Sequence, residues 1–543
     1  MQHPLVRLAS VAVRRASDDR PIDIEGLTQW LAGHVQLAYL RIDPLRVDVG
    51  KVADTMSLAY AGRHRILPVQ VSAHEVVVAT AEPFLTDWVA EVERQCRRSV
   101  RRVVANPQDI ARYTVEFFAL VKSVRSAAKA GNNAASSFEQ LVELGNNSKP
   151  LDANDQSVVQ VVDWLWQYAF DQRASDIHLE PRREQGVIRF RIDGVLHPVY
   201  QMPMGVMTAM TARIKLLARM DVMEKRRPQD GRIKTRRVTE EIEMRISTLP
   251  TAFGEKMVMR IFDPDATVRD LDALGFTAHD AQRWEALVKR PNGIILVTGP
   301  TGSGKTTTLY STLKRIATEQ VNVSTVEDPI EMIEAAFNQT QVQPQLDFGF
   351  VQGLRALMRQ DPDIIMVGEI RDQATAEMAV QAALTGHLVF STLHTNDAPS
   401  AVTRLLELGV PAYLVSATLL GVLAQRLVRT LCPQCKQPDS AGTPQALAAM
   451  VKPWPLDGNY TPYQAVGCVD CRMTGFTGRM GLYELLVVSP AFKSQISREP
   501  DSEALRHQAI SDGMRPLRLA GVMRVAQGLT VLDEVLACTP ALS

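Results

Sequence analysis

Apolar residues follow three successive patterns along the chain, and each predicts a different module. Up to about residue 120, short apolar runs (HRILPVQV, HEVVVAT) alternate with stretches whose apolar positions recur every three or four residues (PFLTDWVAEVERQCRR, PQDIARYTVEFFALV). The first kind predicts strands and the second helices, so this part reads as mixed α/β. The stretch from Ala127 to Asp155 is rich in Ala, Asn, Ser and Gly, with few large apolar residues. It predicts a flexible linker, with Asp152 or Asn154 placed to cap the helix of DQSVVQVVDWLWQYAFDQ. Between residues 156 and about 270 the runs GVIRFRIDG, EEIEMRIST and EKMVMRIF predict strands, and MTARIKLLARMD predicts a helix. From Asp280 the order becomes strand, Gly-rich loop, helix, strand, helix, the pattern of a parallel sheet with crossover helices. The tail from about 480 to 540 reads as helical. Leu408 to Gln425 is uncharged, but Pro411, Ser416, Thr418 and Gln425 interrupt it, so a buried core helix is expected rather than a membrane span.

Charge narrows the function. Lys and Arg number 60 and Asp and Glu also 60, so no chain-wide field draws the molecule to nucleic acid or to a membrane. The cluster EKRRPQDGRIKTRR could form a local nucleic-acid patch, but it lacks interleaved aromatic residues. The start of the chain carries Arg7, Arg14 and Arg15 within its apolar stretch, which predicts no secretory signal. A length of 543 residues suggests three or four domains.

The strongest chemical signal is Gly299-Pro300-Thr301-Gly302-Ser303-Gly304-Lys305-Thr306-Thr307, a phosphate-binding loop between an apolar strand (GIILVT) and a helix. Glycines let backbone N–H groups turn toward a phosphate, and the helix N-terminus adds positive potential. Lys305 then reaches the β- and γ-phosphates, and the Thr306 hydroxyl ligates Mg²⁺. Two further apolar strands end in acids. DIIMVGE ends at Glu369, where Gly368 takes the place of the usual preceding Asp, so Glu369 is expected to support the metal through water. VNVSTVEDPIE ends at Glu327, the candidate for polarising the attacking water. GHLVFSTLHTND carries His387 at one end and His394 at the other; the pair is either structural or, in His394, a phosphate sensor.

Six cysteines are too few for a disulfide scaffold, and four form two CxxC pairs: Cys432 with Cys435, and Cys468 with Cys471. That spacing offers four thiolates to one structural Zn²⁺; a redox dithiol or an empty site are the alternatives. Cys96 and Cys538 are isolated.

The blocks SDIHLEP, FRIDG, QDGRI, RISTLP, GPTGSGKTTTLY, VEDPIE, LRALMRQDPDIIMVGEIRD, TGHLVFSTLHTNDA and GVLAQRLVRTLC occur in this order. Together they resemble the secretion ATPases of type II secretion systems and type IV pilus assembly, over about residues 155 to 540. The resemblance implies an α/β chain with a PAS-like α+β domain (155–272) and a RecA-like P-loop domain (273–543) carrying a tetracysteine zinc insertion (432–471). A mixed α/β N-terminal domain (1–126) and a linker (127–154) precede them. It implies a homo-hexameric ring that hydrolyses ATP with Mg²⁺ and works at the cytoplasmic face of a Gram-negative inner membrane, held there by a platform protein. Glu327, Glu369, His387 and His394 match the family's named sequence boxes. Arg245 and Arg260 match its arginine fingers, and Arg355, Arg359 and Arg479 match its subunit contacts.

The N-terminal domain resembles the family's platform-docking domain in SLAYAGRHRILPV and VVVATAEPF. The Arg-Leu-Gly motif with which some relatives bind cyclic di-GMP is not found, so that ligand is not expected. The expected function is a motor that assembles a pseudopilus and drives type II secretion, with pilus extension as the alternative. A nucleotide-gated binding module and a DNA-transfer ATPase are the rivals from other classes.

Overall fold

The computed structural model describes residues 3–11, 22–130 except 44–46 and 48, 153–262 except 238 and 239, and 270–541 except 440–446 and scattered positions between 448 and 473. Most of the expected linker therefore lies outside the described residues, although its first four residues continue the helix Pro107–Ala130. The chain divides into two compact units, Met1–Phe262 and Asp263–Ser543.

The first unit holds two sheets. Strands β1 (Ala38–Tyr39), β2 (Ile66–Val71), β3 (Glu75–Thr80) and β4 (Ser99–Val104) pair in the order β1-β4-β3-β2. The second sheet is antiparallel throughout: β5 (Asp176–Pro181), β6 (Gln185–Ile192), β7 (Val195–Pro203), β8 (Gln229–Arg237), β9 (Glu240–Thr251) and β10 (Gly254–Phe262), in the order β7-β6-β5-β10-β9-β8. Strict alternation explains its two faces. In β6, Ile188, Phe190 and Ile192 enter the core, whereas Arg189 and Arg191 lie between them on the other face. The helix Gln156–Asp171 begins after Asp155, whose side chain makes no capping bond. Asn154 instead accepts from Arg213 Nη1 at 3.0 Å, and Asp152 is outside the described residues.

The second unit is built on a seven-stranded sheet. Its strands are β11 (Gly293–Thr298), β12 (Val323–Glu327), β13 (Asn338–Gln341), β14 (Ile364–Val367), β15 (Leu388–Leu393), β16 (Leu419–Leu431) and β19 (Phe476–Val487). They pair in the order β13-β12-β14-β15-β11-β16-β19. All neighbours are parallel except β16 and β19. The unbroken apolar runs of β11 and β14 follow from burial on both faces. Ile294, Leu296, Ile365 and Val367 enter one core, while Ile295, Val297, Ile364 and Met366 enter the other.

Two expectations need correction here. Leu408–Gln425 is not one helix: Ala412–Thr418 is helical, and β16 starts at Leu419. The thirteen residues of β16 are mostly buried, pairing with β11 up to Ala424 and with β19 from Gly421 onward, and that pairing outweighs the helix preference of a Leu-rich segment. The tail is likewise not helical from its start, because residues through Val487 belong to β19; the helices Pro490–Gln495, Ser502–Ser511, Leu517–Ala526 and Leu532–Cys538 follow. No described helix is long and apolar enough to cross a membrane.

Between β16 and β19 the chain makes an excursion through the four cysteines, where β17 (Gln437–Pro438) pairs antiparallel with β18 (Tyr463–Gln464).

Candidate functional site

The site lies at the C-terminal edge of the parallel strands, where open α/β sheets present their loops. β11 runs fully buried to Thr298. Gly299, Gly302 and Gly304 then take φ values of 150°, 79° and 85°, conformations that side chains resist. Gly304 caps the helix Lys305–Ile316, so the loop wraps the positive end of that helix. Lys305 Nζ donates to Gly299 O at 2.8 Å and to Pro300 O at 3.1 Å, and burial lowers its pKa. Thr306 and Thr307 sit half-buried on the first turn. Ser303 is buried, and its hydroxyl has no partner among the described residues. Three left-handed glycines, a partly desolvated ammonium and an unmatched hydroxyl fit a polyphosphate.

The two acids differ sharply. Glu327 ends β12 at 3% exposure, its Oε1 accepting from Thr325 Oγ1 (2.6 Å) and Gln339 Nε2 (3.3 Å) and its Oε2 from the Tyr310 hydroxyl (2.7 Å). Burial raises its pKa, and these hydrogen bonds oppose the rise. Glu369, just beyond β14, is paired with Arg371, stands 3.6 Å from His394 Nε2 and is within electrostatic reach of Lys305. His394 is half exposed, and its pKa is lowered by burial first and by the Lys305 charge second, which favours the neutral ring.

Lys305, Glu369 and His394 thus converge, with Arg371 joining them. His387 does not. It precedes β15 at the opposite edge of the sheet, about 20 Å away over six residues of strand, with Nδ1 2.8 Å from Ala382 O. Arg371, Tyr310 and Gln339 were not singled out from sequence. Arg371 and Tyr310 stood inside recognised blocks (GEIRD, KTTTLY), but only the fold aims them at these carboxylates.

The candidate arginine fingers lie in the first unit. Arg245 and Arg260 are directly opposed on β9 and β10. Arg260 Nε donates to Asp176 Oδ1 at 3.0 Å, and Arg245 stands 3.7 Å from Asp230. Arg355, Arg359 and Arg479 are exposed, and their side chains make no hydrogen bond or ion pair among the described residues.

The four cysteine sulfurs all lie within 4.8 Å of one another. Cys432 and Cys468 are 3.7 Å apart and Cys435 and Cys471 3.8 Å, too far for disulfides. A tetrahedron with Zn–S bonds of about 2.3 Å has edges of about 3.8 Å, so the set fits a closed metal site. Burial by itself raises the Cys471 thiol, but N–H groups of Cys468 and Gly475 hold it at about 7.

Comparison with known proteins gives the chain its relatives. The family described as type II/IV secretion system protein matches residues 152–537. The chain belongs to that family. A second description, the MshEN domain, matches residues 35–124. Type IV pilus assembly ATPase TfpB of Acinetobacter baylyi is 51% identical over 543 residues, covering 99% of this chain and 92% of the relative. Type IV pilus assembly ATPase PilB of Myxococcus xanthus is 40% identical, covering 88% and 85%. Type II secretion system ATPase E of Vibrio cholerae is 46% identical, covering 74% and 79%. Among solved structures, the ATPase DotB of Legionella pneumophila shares the fold at a TM-score of 0.51 and 20% identity, over 69% of this chain and 94% of that one. Family membership and these relatives make the chain an ATP-hydrolysing enzyme.

Proposed function

We propose that this enzyme is the cytoplasmic ring motor that converts ATP hydrolysis into assembly of a pilus or pseudopilus. The observation that carries the reading is the convergence of Lys305, Glu369 and His394 on the Gly299–Gly304 loop, in a chain of this family. Residues Gly299 to Thr307 hold the ATP phosphates. Thr306, and Glu369 through water, would hold Mg²⁺, which when bound neutralises phosphate charge. Glu369 orients the attacking water, because it faces Lys305 and His394. This revises the assignment of that task to Glu327, whose oxygens are buried under three donors. Neutral His394 senses the γ-phosphate, and His387 is left out of the chemistry. Arg245 and Arg260 stabilise charge on the transferring group, as planar guanidiniums do.

The antiparallel sheet of the first unit is read as the PAS-like module and the seven-stranded sheet as RecA-like. Arg355, Arg359 and Arg479 serve subunit contacts in a homo-hexamer. The tetracysteine set holds a structural Zn²⁺ that ties off the excursion between β16 and β19. The N-terminal domain docks on the cytoplasmic part of an inner-membrane platform protein, with no direct part for nucleic acid or lipid. Pilus assembly is favoured by the TfpB match, which extends over 99% of the chain, N-terminal domain included. Type II secretion is the second reading, favoured by the match to ATPase E.

The test is ATP turnover per subunit against protein concentration with Mg²⁺, using Lys305→Ala as the blank. Turnover that rises with concentration and vanishes in the variant supports a site completed in an oligomer. Turnover that is independent of concentration would sink the ring.

A further inference from the structure

Two polar residues, Gln425 and Arg426, interrupt the buried run of β16, and they are only 2% and 6% exposed. Most of their partners belong to the machinery around the phosphate loop. Gln425 Oε1 accepts from Thr308 Oγ1 at 2.9 Å, on the first turn of the helix that follows the loop. A Cβ on Gly299 would come within 2.5 Å of Gln425 O, and one on Gly304 within 2.9 Å of its Nε2. Both glycines of the loop therefore lie against Gln425, and at Gly299 the close backbone oxygen bars a Cβ as firmly as the left-handed conformation does.

Arg426 gathers three backbone carbonyls. Its Nη1 donates to Gln425 O (3.0 Å), Nη2 to Asn396 O (2.8 Å) and Nε to Cys538 O (3.0 Å). Asn396 lies two residues beyond His394. Between them, Thr395 is bonded to the last residue of β11, with its N–H 2.8 Å from Thr298 Oγ1. One dipeptide thus braces the helix after the phosphate loop and the segment beyond His394, and Thr395 ties that segment to the strand end. An apolar side chain of similar size at 425 would fill the same space, so packing alone does not call for an amide there. What an apolar residue could not do is grip Thr308.

We propose that Gln425 and Arg426 are positioning residues for ATP: Gln425 fixes the wrap of the phosphate loop, and Arg426 fixes the His394–Asn396 segment against it. The proposal rests on the assignment of Gly299–Thr307 to the phosphates. Neither residue touches substrate in this scheme; Gln425 acts through the Thr308 hydroxyl it holds, and Arg426 through the Asn396 carbonyl.

The experiment uses the full chain with Gln425→Met, Thr308→Val, their combination, Arg426→Lys and Lys305→Ala. Readouts are affinity for a fluorescent ATP analogue, kcat and KM, and the melting temperature without nucleotide. Gln425→Met and Thr308→Val should each weaken analogue binding and raise KM by about tenfold, the scale of one hydrogen bond. The double variant should be no worse than either single one, because both remove the same bond. Arg426→Lys keeps the charge but loses the fork. It should lower kcat by about tenfold with analogue affinity nearly unchanged. Melting temperatures should stay close to the parent's. The proposal is overturned if the variants bind and turn over like the parent, or if activity falls only in step with the folded fraction. Should Gln425→Met fail to fold, Thr308→Val alone decides the first half by the same criteria. A fully active Lys305→Ala would instead bring down the phosphate assignment and this inference with it. An inactive Lys305→Ala beside a normal Gln425→Met removes this inference alone.

Discussion

At the residue scale, two strand-end glutamates of similar sequence context meet opposite surroundings. Glu327 is enclosed by Thr325, Tyr310 and Gln339, whereas Glu369 faces Lys305 and His394. Replacing Glu369 by Gln should therefore lower kcat by about a hundredfold or more while leaving ATP binding in place, the range for loss of a positioned base. Glu327→Gln should cost about tenfold at most, since the amide oxygen still accepts from Thr325 and the amide N–H can donate to the Tyr310 hydroxyl, which keeps Met332 O as its own acceptor. Single-turnover hydrolysis of both variants checks this, and a larger loss in Glu327→Gln would return the water to Glu327. Sequence named both acids because each ends an apolar run. It gave the water to Glu327 and the metal to Glu369 without sight of their surroundings, because burial and the direction of Tyr310 depend on how the helix Lys305–Ile316 lies against β12.

At the element scale, the cysteine excursion is the clearest separable piece. It leaves β16 at Leu431 and returns just before Phe476, and those two residues are paired with each other. The β16–β19 ladder thus closes below the four sulfurs. Removing the proposed Zn²⁺, by a chelator or by Cys432→Ser, should open the excursion without melting the ladder. The expected signs are loss of about one zinc per chain, rapid proteolysis between Cys435 and Cys468, and ATPase activity within a few-fold of the parent. Cooperative loss of the whole second unit would show that the metal supports the sheet itself. The CxxC spacing made this element legible, because ligand chemistry is written in sequence. The helix expected at Leu408–Gln425 was misread for the converse reason: a Leu-rich run carries no sign of the strands that will flank it.

At the scale of the whole molecule, one buried carboxylate ties distant parts of the second unit together. Glu484 on β19 is 1% exposed and accepts from Ala398 N (2.7 Å), in the loop beyond His394, and from Leu517 N (3.0 Å), at the start of a C-terminal helix. Burial raises its pKa from 4.5 to about 7, against the pull of the Ala398 N–H. The folded state therefore binds this proton more tightly than the unfolded chain does. The stabilisation is fully present below about pH 4.5 and is lost as pH rises through about 7. Melting curves from pH 5 to pH 8 should show this decline, and Glu484→Gln should flatten it; an unchanged slope would assign the decline to other groups.

The sequence by itself determined the phosphate loop, the cysteine set, the strand-ending acids and the family, because each depends on residues close together or on spacing that chemistry fixes. Only the tertiary structure decided which acid is exposed to Lys305, that His387 lies a strand's length from His394, and that Gln425, Arg426 and Glu484 bond to Thr308, Asn396 and Ala398. Those facts arise from strands joined by long connections, which bring Gly299 against Gln425, Asn396 against Arg426, and Ala398 and Leu517 against Glu484 without any local signal.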